Sequence, residues 1–177
     1  MDLNVGHRAK SAAPARLDML VAHTVSVIIP AYNAARYVEA AIDTALLQEG
    51  VDVEVLLIDD CSTDGTAAIA QRKAMLDSRI RVLHMPRNSG PAAARNRGLA
   101  AATSEWIALL DADDRFRPGR LRRMLDFAIQ HDADITSDNL LLCPETGDGS
   151  GTPMLPPEKL HYPHGLSTAE FIRGNIG

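Results

Sequence analysis

The sequence predicts an α/β chain built on a doubly wound, mostly parallel sheet with helices on both faces. Three observations lead there. Short apolar runs at residues 25–29, 53–58, 80–84 and 106–110 alternate with stretches of helical periodicity. Each helical stretch is long enough to make the crossover that a parallel strand pair requires. Each apolar run also ends in a polar cluster, at 30–33, 59–64, 88–90 and 111–114. That is the strand edge where sheets of this class bind ligands.

Each element has its own reason. The run from Val25 to Ile29 reads as a buried strand that stops at Pro30, because proline brings no N–H to a ladder. Residues 34–47 place Val38, Ala41, Ile42 and Ala45 at the spacing of a helix facing a core. Val53 to Ile58 is a second strand, closed by Asp59 and Asp60; Asp64, Gly65 and Thr66 then open a helix reaching Asp77. Ile80 to His84 is the third strand. The turn from Asn88 to Pro91 places proline at a first helical position, and an alanine-rich helix spans 92–103. Its clusters at 92–94 and 100–102 suit close packing on the sheet. Trp106 to Leu110 has the length and character of a buried strand, with Trp106 in the core. Pro118 opens a helix to His131.

The C-terminal part is less strongly patterned. Residues 134–142 read as a fifth strand containing Asp138, and the Pro- and Gly-rich stretch 144–164 as a long loop. Residues 168–173 suit a short helix capped by Ser167. There is no internal repeat and no low-complexity tract. The expected organisation is an N-terminal arm at 1–23, a ligand-binding core at 24–143, and a loop with the start of a further region at 144–177. The arm is Ala-rich with scattered Arg and Lys and reads as flexible or as a short helix, equally suited to holding a dimer together. It has no apolar core followed by a cleavage site.

Composition bounds the function. The length of 177 residues suits one domain, and 46% hydrophobic with 23% charged residues is an ordinary globular balance. A net charge of −5 gives no basic field, which argues against a nucleic-acid partner. Two cysteines, Cys61 and Cys143, make no disulfide framework and fit a reduced, cytoplasmic setting. No apolar run reaches the roughly eighteen residues that would span a bilayer.

The densest chemistry follows the fourth apolar run, where Asp111, Asp113 and Asp114 stand together. Like charges so close resist ionisation unless a cation neutralises them, and a hard divalent ion such as Mg²⁺ or Mn²⁺ prefers oxygen ligands. Were the strand to continue, Asp111 and Asp113 would share one side. The plainer reading is a solvated loop at a helix N-terminus. Other phosphate and metal sites fall away. After the first strand there is no G-x-G-x-x-G, and the chain has no G-x-x-x-x-G-K-[ST]. An EF-hand starting at Asp111 would need glycine and glutamate where Phe116 and Arg122 stand, and zinc-ligand spacing is missing.

Taken together, four segments carry a resemblance. They are VSVIIPAYN at 25–33, LLIDDCSTDGT at 56–66, NSGPAAARNRG at 88–98 and LDADD at 110–114. In order and spacing the set resembles family 2 glycosyltransferases of the GT-A fold, over about residues 25 to 138. The resemblance implies metal-dependent transfer of a sugar, with inversion, from a nucleotide diphosphate sugar, usually a UDP-sugar, to an acceptor hydroxyl. The acceptor would be a saccharide or a lipid-linked sugar of a polysaccharide pathway, reached from the cytoplasmic face of the membrane. It places Pro30, Tyr32 and the Asp59, Asp60 pair around the nucleobase, with Asp60 favoured as acceptor of the uracil N3–H, and Asn33 among the nucleotide-binding residues. It places Arg95 near the nucleotide, Asp111 and Ala112 close to the ribose, and Asp113, with Asp111 beside it, on the cation, Mn²⁺ or Mg²⁺. The acceptor-activating base is expected beyond Gly177, so the chain reads as the donor-binding front of a longer enzyme. Cys61 stands where the family often has glycine.

Some residues and functions stay open. Arg115, Arg117, Arg120, Arg122 and Arg123 suit a solvated helix face, or a surface for a diphosphate or anionic lipid. His84, His131, His161 and His164 read as surface or satisfied core residues. A nucleotidyltransferase would need a glycine-rich, arginine-containing loop after the first strand, which is missing. A phosphatase would carry its Asp-x-Asp at the end of that strand. A non-catalytic nucleotide-sugar-binding module is the remaining alternative.

Overall fold

Residues 23–138, 141–143 and 151–154 are described by a computed structural model. Four parallel strands, β1 (Thr24–Ala31), β2 (Asp52–Asp59), β3 (Ile80–His84) and β4 (Trp106–Leu109), form a sheet in the order β3-β2-β1-β4. Between them run α1 (Val38–Leu46), α2 (Thr66–Leu76) and α3 (Pro91–Ala101), and α4 (Arg120–His131) follows β4. The order explains the two-faced layering. Stepping from β1 to β2 to β3 by right-handed crossovers places α1 and α2 on one face, and the return from β3 to β4 places α3 on the other. The strand order reverses between β1 and β4, which makes the carboxyl edge there the switch point of the sheet.

The core is the doubly covered pair β1 and β2. On the α3 face, Ile28, Leu56 and Ile58 pack with Ala94. Strand alternation sends Val27, Ile29, Val55 and Leu57, all fully buried, to the opposite face. Gly98 lets α3 approach: a Cβ there would lie 2.5 Å from Ile28 Cγ2 and 2.9 Å from Ile58 Cδ1.

Several boundaries differ from expectation for identifiable reasons. Pro30 does not end β1 but pairs with Ile58 inside it. The carbonyl of Ala31 accepts from Asp60 N on the β2 side, and that of Ile28 accepts from Leu110 N on the β4 side. Alternation therefore turns the proline nitrogen toward β4, which has already ended at Leu109. The missing donor costs nothing there. Helix α1 starts at Val38 because Tyr37 and Val38 close a turn on the Ala34 carbonyl. Helix α4 starts at Arg120, after Gly119 with φ +67°. Among the described residues β4 borders the sheet: Ile107 and Leu109 are exposed, and Trp106 is half-buried with its indole N–H unpartnered.

The chain divides at Arg123 and Met124 into two units. The second holds the rest of α4, where the Phe127 and His131 rings lie 4.3 Å apart, and a two-residue antiparallel pair of β5 (Leu141–Leu142) and β6 (Thr152–Pro153). Of the described residues in the expected fifth strand, 134–138 have no regular structure and Leu141 and Leu142 pair. Residues 152 and 153 of the expected loop are strand. The arm at 1–22, the rest of 144–177 and the short helix at 168–173 lie outside the described residues.

Candidate active site

The four polar clusters do meet at one edge. A small cleft is lined by Pro30, Ala31 and Tyr32 after β1, Asp60 after β2, Asn88 and Gly90 after β3, and Pro91 and Ala94 of α3. Its volume of about 110 Å³ lies below the range of roughly 300–1,000 Å³ usual for whole small-molecule sites, so it suits one moiety of a ligand. Asp60, almost fully buried, is the charged side chain among those lining residues. Its Oδ1 accepts from Ser89 N at 2.9 Å, and its Oδ2 from Gly90 N at 2.7 Å. Two lone pairs per oxygen leave capacity for a ligand donor.

Asp59 faces elsewhere. Its Oδ1 accepts from Ser62 N at 3.3 Å and its Oδ2 lies 3.3 Å from His84 Nδ1. Gln71 Nε2, 3.0 Å from His84 Nε2, can only donate, so the tautomer with the proton on Nδ1 fits both contacts. Asn33 is outside the cleft lining as well and stitches two loops. Its Oδ1 accepts from Thr63 N at 2.8 Å, and its backbone N donates to Ser62 Oγ at 3.1 Å. Asp64 and the fully buried Thr66 continue the seam by accepting from Ala35 N and Ala34 N. The Thr66 hydroxyl, outweighing a smaller opposing effect of desolvation, holds the Asp64 carboxyl below its usual range. The seam needs two left-handed residues, Asn33 at φ +49° and Cys61 at φ +63°. The second explains why glycine suits the position of Cys61.

The acidic turn stands at the end of β4. Asp114 N donates to the Asp111 carbonyl at 3.0 Å, which closes the turn and ends the alternation that would have placed Asp111 and Asp113 on one strand face. Asp111, Asp113 and Asp114 are exposed, and Ala112 is buried between them. Burial first, then the charges of Asp113 and Asp111, push the Asp114 carboxyl above its usual range. A cation would relieve that repulsion. Asp111 Oδ1 accepts from Arg95 Nη2 at 2.5 Å. Among the described residues no three Asp, Glu, His or Cys side chains converge as a metal cage. Carboxylates presented without a complete cage suit an ion that also takes substrate phosphate oxygens and water, as Mg²⁺ does.

The segment after the turn is pinned to α1. Phe116 N donates to Thr44 Oγ1, while buried Gln48 accepts from Leu121 N and donates to the Arg117 carbonyl. The arginines serve this corner too. Arg120 lies over the Phe116 ring, Arg122 reaches the Gly50 carbonyl, and Arg123 donates to the Pro118 carbonyl. The sequence reading put Ala31, Asn88, Ser89 and Gly90 in clusters at this edge without singling them out, and it missed Pro91 and Ala94 as lining residues. Apolar residues such as these two give no chemical signal.

A family model described as "Glycosyl transferase family 2" matches residues 26–170. The chain belongs to glycosyl transferase family 2. Within the glycosyltransferases it is 43% identical over 152 residues to the succinoglycan biosynthesis protein ExoO of Rhizobium meliloti, covering 86% of this chain and 42% of that one. It is 36% identical to the putative teichuronic acid biosynthesis glycosyltransferase TuaG of Bacillus subtilis, covering 86% and 58%. This glycosyltransferase chain thus spans about half the length of these curated relatives. Among solved structures it resembles S. aureus TarS 1–349 in complex with UDP, with a TM-score of 0.57 and 31% identity over 62% of this chain and 33% of that one. It also resembles the mannosyltransferase PcManGT from Pyrobaculum calidifontis in complex with GDP-Man and Mn²⁺, with a TM-score of 0.58 and 28% identity over the same shares. Among the described residues no helix is long and apolar enough to cross a membrane.

Proposed function

We propose that this chain is the donor-binding part of an inverting glycosyltransferase that uses a nucleoside diphosphate sugar, UDP by preference, and a divalent cation. The observation that supports it best is the cleft with Asp60 in its lining, at the same sheet edge as the acidic turn. The half-exposed Tyr32 ring offers a face on which a base stacks. A carboxylate already oriented by two backbone N–H groups accepts a ring N–H, which uracil has and adenine lacks. The narrow cleft favours a pyrimidine over a purine. Asp111 and Ala112 flank the ribose. Asp113 would be the direct ligand of Mn²⁺ or Mg²⁺, with Asp111 beside it. The ion when bound would supply stabilisation of the negative charge growing on the leaving diphosphate.

The acceptor is a saccharide or lipid-linked sugar, in keeping with relatives named for succinoglycan and teichuronic acid biosynthesis. The base that deprotonates it is assigned to the part of the relatives' length that this chain does not span. The preference for a cytoplasmic setting at the inner membrane face, and dimer formation through the arm, belong to the same proposal.

Calorimetric titration of UDP, GDP and ADP into the chain, with and without Mn²⁺, tests the donor site. UDP is expected to bind only with Mn²⁺ and ADP not at all, and Asp113→Ala to abolish the metal-dependent binding. Binding of ADP as tight as that of UDP, or UDP binding indifferent to both Mn²⁺ and Asp113→Ala, would sink the assignment.

A further inference from the structure

Asp59 is almost fully buried, yet it lies outside the cleft lining. Alternation along β2 puts it with Val55 and Leu57, on the face opposite Asp60 and the cleft. A buried carboxylate is costly unless donors meet it. Among the described residues each of its oxygens has one hydrogen-bond partner. Oδ1 accepts from Ser62 N and Oδ2 lies against His84 Nδ1, both at 3.3 Å. His84 is the register partner of Asp59 on β3, so the two side chains stand side by side on one face of the sheet. Gln71 of α2 donates to Nε2 of the same ring at 3.0 Å, which reserves the Nδ1–H for Asp59.

Both walls of the cleft depend on this carboxylate. Asp60 is the next residue, and its N donates to the Ala31 carbonyl of β1 at 2.8 Å. Ser62, which Asp59 holds, accepts from Asn33 N through its Oγ at 3.1 Å. Asn33 directly follows the cleft-lining Tyr32. A chain of contacts therefore runs from His84 through Asp59, Ser62 and Asn33 to Tyr32, and through the backbone to Asp60. We propose that His84 is a positioning residue for the nucleobase. By donating its Nδ1–H to Asp59, it holds Tyr32 and Asp60 at the spacing that a base fills, from the far side of the sheet. The inference rests on the cleft being the nucleobase site. Without the imidazole donor, the Asp59 carboxylate turns toward other donors, draws Ser62 with it and loosens both walls.

Calorimetric titration of UDP with Mn²⁺ into variants of the histidine tests it. His84→Ala is expected to weaken binding about three- to tenfold, the worth of one hydrogen bond. His84→Asn, whose amide nitrogen takes the place of Nδ1, should bind close to the parent. His84→Gln, whose amide reaches the place of Nε2 instead, should bind like His84→Ala. A residue that only fills space or supports the fold would not separate the Asn variant from the Gln variant. In an Asp59→Asn background, His84→Ala should cost nothing further, because the coupling runs through that carboxylate. Urea unfolding without nucleotide checks that each variant is folded under the titration conditions. A parent that binds UDP while His84→Ala binds it equally well, or Asn and Gln variants that behave alike, overturns this inference alone. A parent that binds no UDP removes the nucleobase site, and the inference with it.

Discussion

Asp60 shows how much a single residue settles on this sheet edge. Its carboxylate takes backbone N–H groups from the turn before α3, so it fixes one wall of the cleft while facing the cleft itself. Asp60→Asn replaces an acceptor oxygen with a donor amide opposite those N–H groups. A buried donor left facing donors costs about 1–3 kcal/mol, and that loss is expected in the urea unfolding of Asp60→Asn without nucleotide. UDP binding should fall in parallel, and a variant as stable as the parent would show that the turn finds other partners. Asp59, its neighbour, was set apart from it in the sequence only by the resemblance, which favours Asp60. Strand alternation sends the two to opposite sides, and their partners, Gly90 N for one and His84 for the other, separate their surroundings. Cys61 was legible as a departure from glycine; its reason, a left-handed backbone, was not.

At the scale of elements, the apolar runs were legible because burial on both faces of β1 and β2 leaves only Ser26 and Glu54 as polar residues inside the runs at 25–29 and 53–58. The ends were less so, since they depend on neighbours. Pro30 reads as a stop until the end of β4 shows that no partner waits for its nitrogen. β4 looks buried in sequence, and its place at the border of the sheet among the described residues is a fact of topology and not of its residues. The glycine of α3 is a sharper case. Gly98→Ala would gain roughly 1 kcal/mol of helix propensity. Its new methyl, however, would press on Ile28 and Ile58 at distances that force α3 off the sheet. Overpacking of that kind costs about 1–3 kcal/mol, so net destabilisation is expected in the urea midpoint. Because Ala94 and Arg95 ride on the same helix, UDP affinity should drop as well. An alanine variant as stable as the parent would mean that α3 stands further from the sheet than described.

Over the whole sheet, the chain concentrates its polar work at two poles, and only one of them is the cleft. At the amino ends of the strands, Glu54 of β2 accepts from Ser26 Oγ of β1 at 2.7 Å, Arg81 Nη1 of β3 at 2.7 Å and Thr103 Oγ1 at 3.1 Å. Ser104 N in turn donates to Ser26 Oγ, so the node ties in the entry to β4. Three strands of the sheet and the approach to the fourth meet this carboxylate or a group bonded to it. Desolvation by burial pushes the Glu54 carboxyl up, but its bonds to Arg81, Ser26 and Thr103 together outweigh that and leave it below the usual glutamate range. A group lowered in the folded state stabilises fully above its unfolded value, and that contribution is lost as pH falls through the lower folded one. The parent should therefore lose stability on acidification from about pH 5 downward. Glu54→Gln should be less stable by about 1–2 kcal/mol at pH 7, allowing for the partial exposure of the Arg81 pair. Its midpoint should then change less between pH 6 and pH 3 than the parent's, so that the two curves converge in acid. Parallel curves across that range would show that Glu54 packs the pole without its charge mattering, and that other carboxylates carry the acid sensitivity of the fold.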